Sequence, residues 1–377
     1  MSAAVDLLIV GAGIVGAACA RAAAQAGLTV EVVDSGLVGG GTTAAGMGHL
    51  VVMDDSEPQF ALTSYSRSLW RELAPQVPAN VEWDRCGTLW VAADQLEMAE
   101  VRRKFQYYSE RGVRVEMLDE QGLAAAEPRL RRGLAGGLVV PDDAVIYPPC
   151  AAQFLLDQAV AAGARVRLGA RVAEVTTSGG VKLTDGTAMA AARTLIAAGV
   201  WSPEMVPGLP VRRRKGHLVI TDRYPGFVRH QLVELGYLQS AHTLGKESVA
   251  CNIQPRKTGQ ILIGSSRQFD AEDAGIDHPL LTRMLQRAIT YLPALKDLSA
   301  IRAWTGHRAA TPDKLPIIGP SPDNDRVWLA TGHEGLGITT SLGTAALLRD
   351  LLLGRTPAIA AASYAPNRFD NRRLWHG

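Results

Sequence analysis

Gly11, Gly13 and Gly16, in "VGAGIVG", have the spacing Gly-x-Gly-x-x-Gly. A loop of this kind can hold a pyrophosphate. Gly11 permits the tight turn, Gly13 lets backbone approach the phosphates, and Gly16 lets the next helix pack on the sheet with its N-terminus facing the anion. Asp34 follows at the distance where a carboxylate can accept hydrogen bonds from an adenosine ribose. A second loop, "SGLVGGGTTAAGMGHL", opens at Ser35. It offers hydroxyls at Thr42 and Thr43, and small residues at Gly46 and Gly48 around Met47 that admit a planar ring. A plain NAD domain would carry straight on to another helix and strand, so the small-residue loop favours a flavin. Near the other end, "TGHRAATPDKLPIIG" sets one arginine, Arg308, among small and apolar neighbours. Its type leaves two roles open, an internal ion pair or an anion site.

These residues need elements to hold them. Residues 5–10 form an apolar run interrupted only by Asp6, as a strand covered on both faces requires. The alanine-rich stretch 14–26 reads as a closely packed helix, and 29–33 as the second strand, which Asp34 ends. Leu62, Tyr65, Leu69 and Leu73 make a helical stripe, and 95–112 is a charged amphipathic helix. Residues 86–94 read as a strand leaving the first domain. A helix from 151 to 163 precedes short strands separated by Ser178-Gly179-Gly180 and Asp185-Gly186, then a buried strand at 194–198 that ends in Gly199. Strands follow at 216–222, 248–254 and 260–265, the last two joined by "RKTG", and a long helix covers 279–292. The final unit is a strand at 327–330, a glycine loop through Gly335, Leu336 and Gly337, and a helix from Ile338 and Thr339 to 353. That helix points its positive end at whatever the loop holds.

The chain has 377 residues, more than one ordinary core accommodates, so two domains are expected. The segments alternate, which predicts an FAD-binding domain from 1–85, 145–212 and 303–377 and a substrate-binding domain from 86–144 and 213–302. A net charge of +2 provides no bulk field for nucleic acid or anionic lipid. The one basic run, Arg212-Arg213-Arg214-Lys215, reads as a solvated loop end. Four dispersed cysteines without CxxC fit a reducing, cytoplasmic compartment, with at most a peripheral place at the inner face of the membrane. The eight histidines form no HxxxH or HxH pair, so no metal is expected. The apolar N-terminus carries Asp6 and Arg21 and is broken by glycines, which argues against a signal peptide or a span.

"VGAGIVG", "TTAAGM", "AAGVWS", "WTGHRAATPDKLPIIG" and "ATGHEGLGITTSLGTA" resemble, in order and over nearly the whole length, the FAD-dependent D-amino-acid oxidase family, which includes glycine oxidase, sarcosine oxidase and the D-amino-acid dehydrogenases. Within it, "GMGHLVVMDD" and "GHEGLG" are most similar to the bacterial D-hydroxyproline dehydrogenases. The resemblance implies an α/β (α+β overall) fold, a Rossmann-like FAD domain with a substrate domain on an antiparallel sheet. It implies Val172 at the adenine, Gly199 near the cofactor, and Gly335, Leu336, Gly337, Ile338 and Thr339 beside the flavin. Sarcosine oxidases tether flavin through a cysteine where this chain has Gly306, so non-covalent FAD is implied. The family's carboxylate-binding arginine matches Arg308. Glycine oxidases place a tyrosine where this chain has Asn252, whose amide could meet substrate; His49, Tyr237 and His242 are further polar candidates.

The implied reaction oxidises a D-amino or cyclic imino acid, with D-proline or cis-4-hydroxy-D-proline favoured, by hydride transfer from Cα to flavin N5. A glycine- or sarcosine-type oxidase using oxygen stays open, as does an FAD-carrying electron-transfer subunit. The electron acceptor (quinone, partner subunit or oxygen) and a homo- or hetero-oligomeric state are likewise open.

Overall fold

The computed structural model describes residues 5–236, 247–269 and 271–369. Tyr237 and His242 lie outside them. Among the described residues, six strands form one sheet in the order Ile317–Pro320, Val327–Thr331, Ala191–Ile196, Val5–Val10, Val30–Val33, Arg165–Arg167. Val5–Val10 pairs in parallel on both sides. Leu7, Leu8 and Ile9 are almost wholly buried, because helices cover the face of Leu7 and Ile9 while Val172, Val181, Leu183 and Met189 of a small meander pack on the face of Leu8. Two helices make that cover intimate. Ile14–Gln25 packs through Ala17, Ala18, Ala20 and Ala23, and Gly337–Leu352 is buried along nearly its whole length. Small residues let these helices lie close to the sheet and to each other.

A second sheet of eight strands runs in the order Ala300–Ala310, Arg212–Thr221, Ile261–Phe269, Glu247–Pro255, Gln231–Glu234, Thr88–Ala92, Gly136–Val140, Glu116–Asp119. Its pairs are antiparallel except Gln231–Glu234 with Thr88–Ala92. Strand alternation divides its residues. Cys251, Ile253, Ile261 and Ile263 pack under the helix His278–Tyr291, through Met284 and Ala288. Asn252 and Gln254 alternate with Cys251 and Ile253 and so point to the opposite face. Val172–Val175, Val181–Leu183 and Ala188–Met189 make a small antiparallel meander.

The basic run is not a loop end. Arg212–Thr221 is a strand, paired along its length with Ala300–Ala310. Lys215 is buried and bonds Asp273 at 2.9 Å, and Arg214 pairs with Glu334. A run of cations looks solvated by composition, but pairing with acids distant in sequence keeps it in the sheet. The same pairing shows that a boundary at 303 cuts a strand: residues 300–310 belong wholly to the larger sheet. The apolar N-terminus is strand and helix, and no helix of the described residues is long and apolar enough to cross a membrane.

Candidate active site

One cavity of about 600 Å³ runs between the two sheets. Gly11 and Gly13 open it at one end. Gly11 has φ +115°, and a Cβ there would sit 2.5 Å from the Ala197 carbonyl oxygen. Gly16 does not reach the cavity. It seats the helix, since a Cβ would lie 1.9 Å from the Gly11 carbonyl oxygen. Asp34 closes the turn: its Oδ2 accepts from the Ala12 amide and its Oδ1 from the Gly36 amide, both at 2.7 Å. A carboxylate has about four acceptor sites, so acceptor capacity remains beside the cavity that Asp34 and Ser35 line. Val172 and Gly199 line the same end.

Thr42 and Thr43 line the cavity wall, and each hydroxyl makes one bond within the protein. Thr42 Oγ1 donates to the His307 carbonyl at 2.8 Å, and Thr43 Oγ1 accepts from the Ile14 amide at 3.1 Å. The second loop is thereby fastened to both the phosphate-type helix and the strand of Arg308. Gly46 and Met47 line the middle. Gly306 faces them at close quarters, because a Cβ there would meet Ala45 Cβ at 2.3 Å. A side chain at 306 would push this loop away.

The helix Gly337–Leu352 presents its start, with Gly335, Leu336, Gly337 and Ile338 lining the cavity. Thr339 is not there. It is wholly buried one residue further on, where its hydroxyl donates to the His49 carbonyl at 2.8 Å. Glu334 has φ +51°, and its amide donates to the Ala309 carbonyl at 3.0 Å, so this loop is pinned beside Arg308.

On the larger sheet the cavity is lined by alternating residues of several strands: Gly306 and Arg308, Arg214 and Gly216, Ser265 and Arg267, Asn252, Gln231 and Val233, and Trp90. Arg308 and Asn252 stand on strands three apart in the order, yet the side chain spans much of that gap. Arg308 Nη1 donates to the Ser266 carbonyl at 3.0 Å, and Ser266 is on the strand next to that of Asn252. Asn252 is buried with its Oδ1 unpartnered, and the Trp90 Nε1 is likewise buried and unpartnered. His49 Nδ1 lies 2.9 Å from Gln231 Oε1 and 3.0 Å from Gln254 Nε2. Burial, with Arg308 adding to it, lowers His49 to about 4, so the imidazole is neutral at pH 7. Burial likewise lowers His333, which lines the cavity, to about 3.

Sequence reasoning missed Trp90, Gln231, Arg267 and Gly216. None sits in a recognisable motif, and only strand register brings them to one face. The glycine-lined end, the carboxylate of Asp34 and the helix start suit a dinucleotide cofactor, and the sheet face suits a small polar substrate.

The family model for FAD dependent oxidoreductases matches residues 6–351. The chain is similar to hydrogen cyanide synthase subunit HcnC of Pseudomonas aeruginosa, 28% identical with 97% of this chain and 96% of that protein covered. It is also similar to a D-amino acid dehydrogenase of Bradyrhizobium diazoefficiens, 30% identical with 82% of this chain and 73% of that protein covered. Among solved structures, glycine oxidase from Geobacillus kaustophilus superposes with a TM-score of 0.87 at 26% identity, covering 97% of this chain and 98% of that one. L-proline dehydrogenase from P. horikoshii shares the fold, with a TM-score of 0.88 at 21% identity and the same coverage. The chain therefore belongs to the FAD dependent oxidoreductase family and is an oxidoreductase that uses FAD.

Proposed function

We propose that the protein oxidises a D-amino or cyclic imino acid, with D-proline or cis-4-hydroxy-D-proline preferred. The observation that carries this is one face of the larger sheet, where Arg308 and Asn252 line the same cavity. Bound FAD supplies a two-electron acceptor for the hydride leaving the substrate Cα. Everything else falls to the protein. Arg308 takes the carboxylate through two parallel hydrogen bonds and so fixes the Cα position. The Asn252 amide meets a polar group on the far side of the substrate. The cation of Arg308 favours a substrate amine that has lost its extra proton. Since the guanidinium reaches the strand next to Asn252, the space between them suits a compact acid. The relatives named glycine oxidase and D-amino acid dehydrogenase support an amino-acid substrate.

The test is anaerobic bleaching of the flavin. D-Proline and cis-4-hydroxy-D-proline are expected to bleach it faster than their L-forms, sarcosine, glycine or D-alanine at equal concentration. Faster bleaching by glycine or sarcosine would replace this reading with a glycine-type oxidase, and rapid reoxidation of the reduced protein by oxygen would strengthen that replacement.

FAD is held without a covalent bond in this reading, because Gly306 offers no thiol and no room for one. Acid precipitation should release the yellow colour to the supernatant. A pellet that stays yellow would show a tether.

A further inference from the structure

We propose that Gly216 is the positioning residue for Arg308: the absence of its side chain forms the slot in which the guanidinium lies. This rests on the reading of Arg308 as the carboxylate-binding group. A Cβ built on Gly216 would be 2.4 Å from Arg308 Nη1 and 2.9 Å from both Cζ and Nη2, and these are its three nearest atoms. All three belong to the head of one side chain.

Backbone conformation does not ask for glycine here. Gly216 has no left-handed φ and sits inside the strand Arg212–Thr221, where glycine is unfavourable. Space is therefore what the residue provides. The register shows why that space is needed. Arg308 is directly opposite Arg214, and Gly216 opposite Gly306. The place beside Arg214 is taken, since its guanidinium is paired with Glu334. The Arg308 side chain instead slants over position 216, with its Nε 3.5 Å from where a Gly335 Cβ would lie. Its Nη1 then reaches the Ser266 carbonyl on the following strand at 3.0 Å. That bond holds one edge of a planar fork and orients the remainder towards the cavity. A methyl group at 216 would lift the head away from Ser266. The clash is with the mobile end of a side chain, so the fold survives and the guanidinium moves.

The experiment is a double-mutant cycle on the FAD-loaded enzyme, with G216A, R308A and the double variant. Pyrrole-2-carboxylate, a carboxylate that cannot be oxidised at Cα, serves as probe, and its dissociation constant is read from the shift of the flavin absorbance. In the otherwise unchanged protein, G216A should weaken the probe roughly 10- to 100-fold, a part of the loss that follows complete removal of a buried charge partner. In the R308A background no guanidinium remains to displace, so G216A should change binding less than about 2-fold. FAD content and Tm are measured for all four proteins. A silent G216A overturns the proposal. So does any G216A defect, in probe binding, FAD content or Tm, that persists undiminished in the double variant, because the methyl group would then clash elsewhere. If R308A itself binds the probe normally, the carboxylate reading of Arg308 falls and the positioning role falls with it. Loss in R308A with no effect of G216A removes the positioning role alone.

Discussion

Arg308→Ala is expected to keep FAD and to raise the substrate KM by roughly 30-fold to several thousand-fold, the equivalent of losing one side of a buried charge pair at about 2–5 kcal/mol. The cofactor survives because Arg308 stands on the larger sheet, where it bonds Ser266, whereas Gly11 and Gly13 follow a strand of the other sheet. The substrate suffers because its carboxylate keeps the cost of leaving water and loses the cation that offsets it. Arg308→Lys should recover only part of the loss. A point charge on a flexible stem cannot hold both carboxylate oxygens while bonding Ser266. The measurement is steady-state kinetics on protein with verified FAD content. Near-normal kcat/KM in the alanine variant would make Arg308 a structural cation and move the carboxylate elsewhere.

What could be read from the sequence follows the range of the interactions. Gly11, Gly13, Gly16 and Asp34 lie within one strand-turn-helix-strand unit, so spacing alone exposes them, and Asp34 does close that turn through the Ala12 and Gly36 amides. Asn252 could be placed on a strand. That its side chain reaches the cavity depends on alternation against Cys251 and Ile253, whose face is set by a helix that begins at His278. Thr339 shows the opposite failure. The glycine loop before it was legible, but one further residue turns the side chain into the helix-packed interior towards the His49 carbonyl. Arg214 and Lys215 looked like solvent-facing charges because their partners, Glu334 and Asp273, are far along the chain. Non-local pairing is invisible to composition. The same reason hid Gly216, a glycine whose purpose exists only when Arg308 has been brought opposite its strand.

Two glycines of one motif should fail in different ways. Gly16→Ala is expected to yield protein with little FAD and a Tm lower by roughly 5 °C or more, from overpacking that costs about 3 kcal/mol or more. Residue 16 lies inside the helix Ile14–Gln25, where alanine would otherwise gain about 0.5–1 kcal/mol over glycine. Sterics decide against that gain. The new Cβ would be 1.9 Å from the Gly11 carbonyl oxygen and 3.0 Å from its carbon, and backbone cannot rotate away as a side chain can. The helix must leave the strand, and with it go the amides at its N-terminus that face the cavity. Gly13→Ala is the contrast. Its Cβ would meet only Thr43 Oγ1, at 3.3 Å, so the fold should hold and Tm should stay near that of the parent. Its methyl group would project into the cavity where backbone must approach a phosphate, so FAD affinity should fall while stability does not. FAD stoichiometry from absorbance, together with Tm of the apoproteins, separates the two. A Gly16→Ala protein with parental FAD content and Tm would mean that the helix start is not held by this contact.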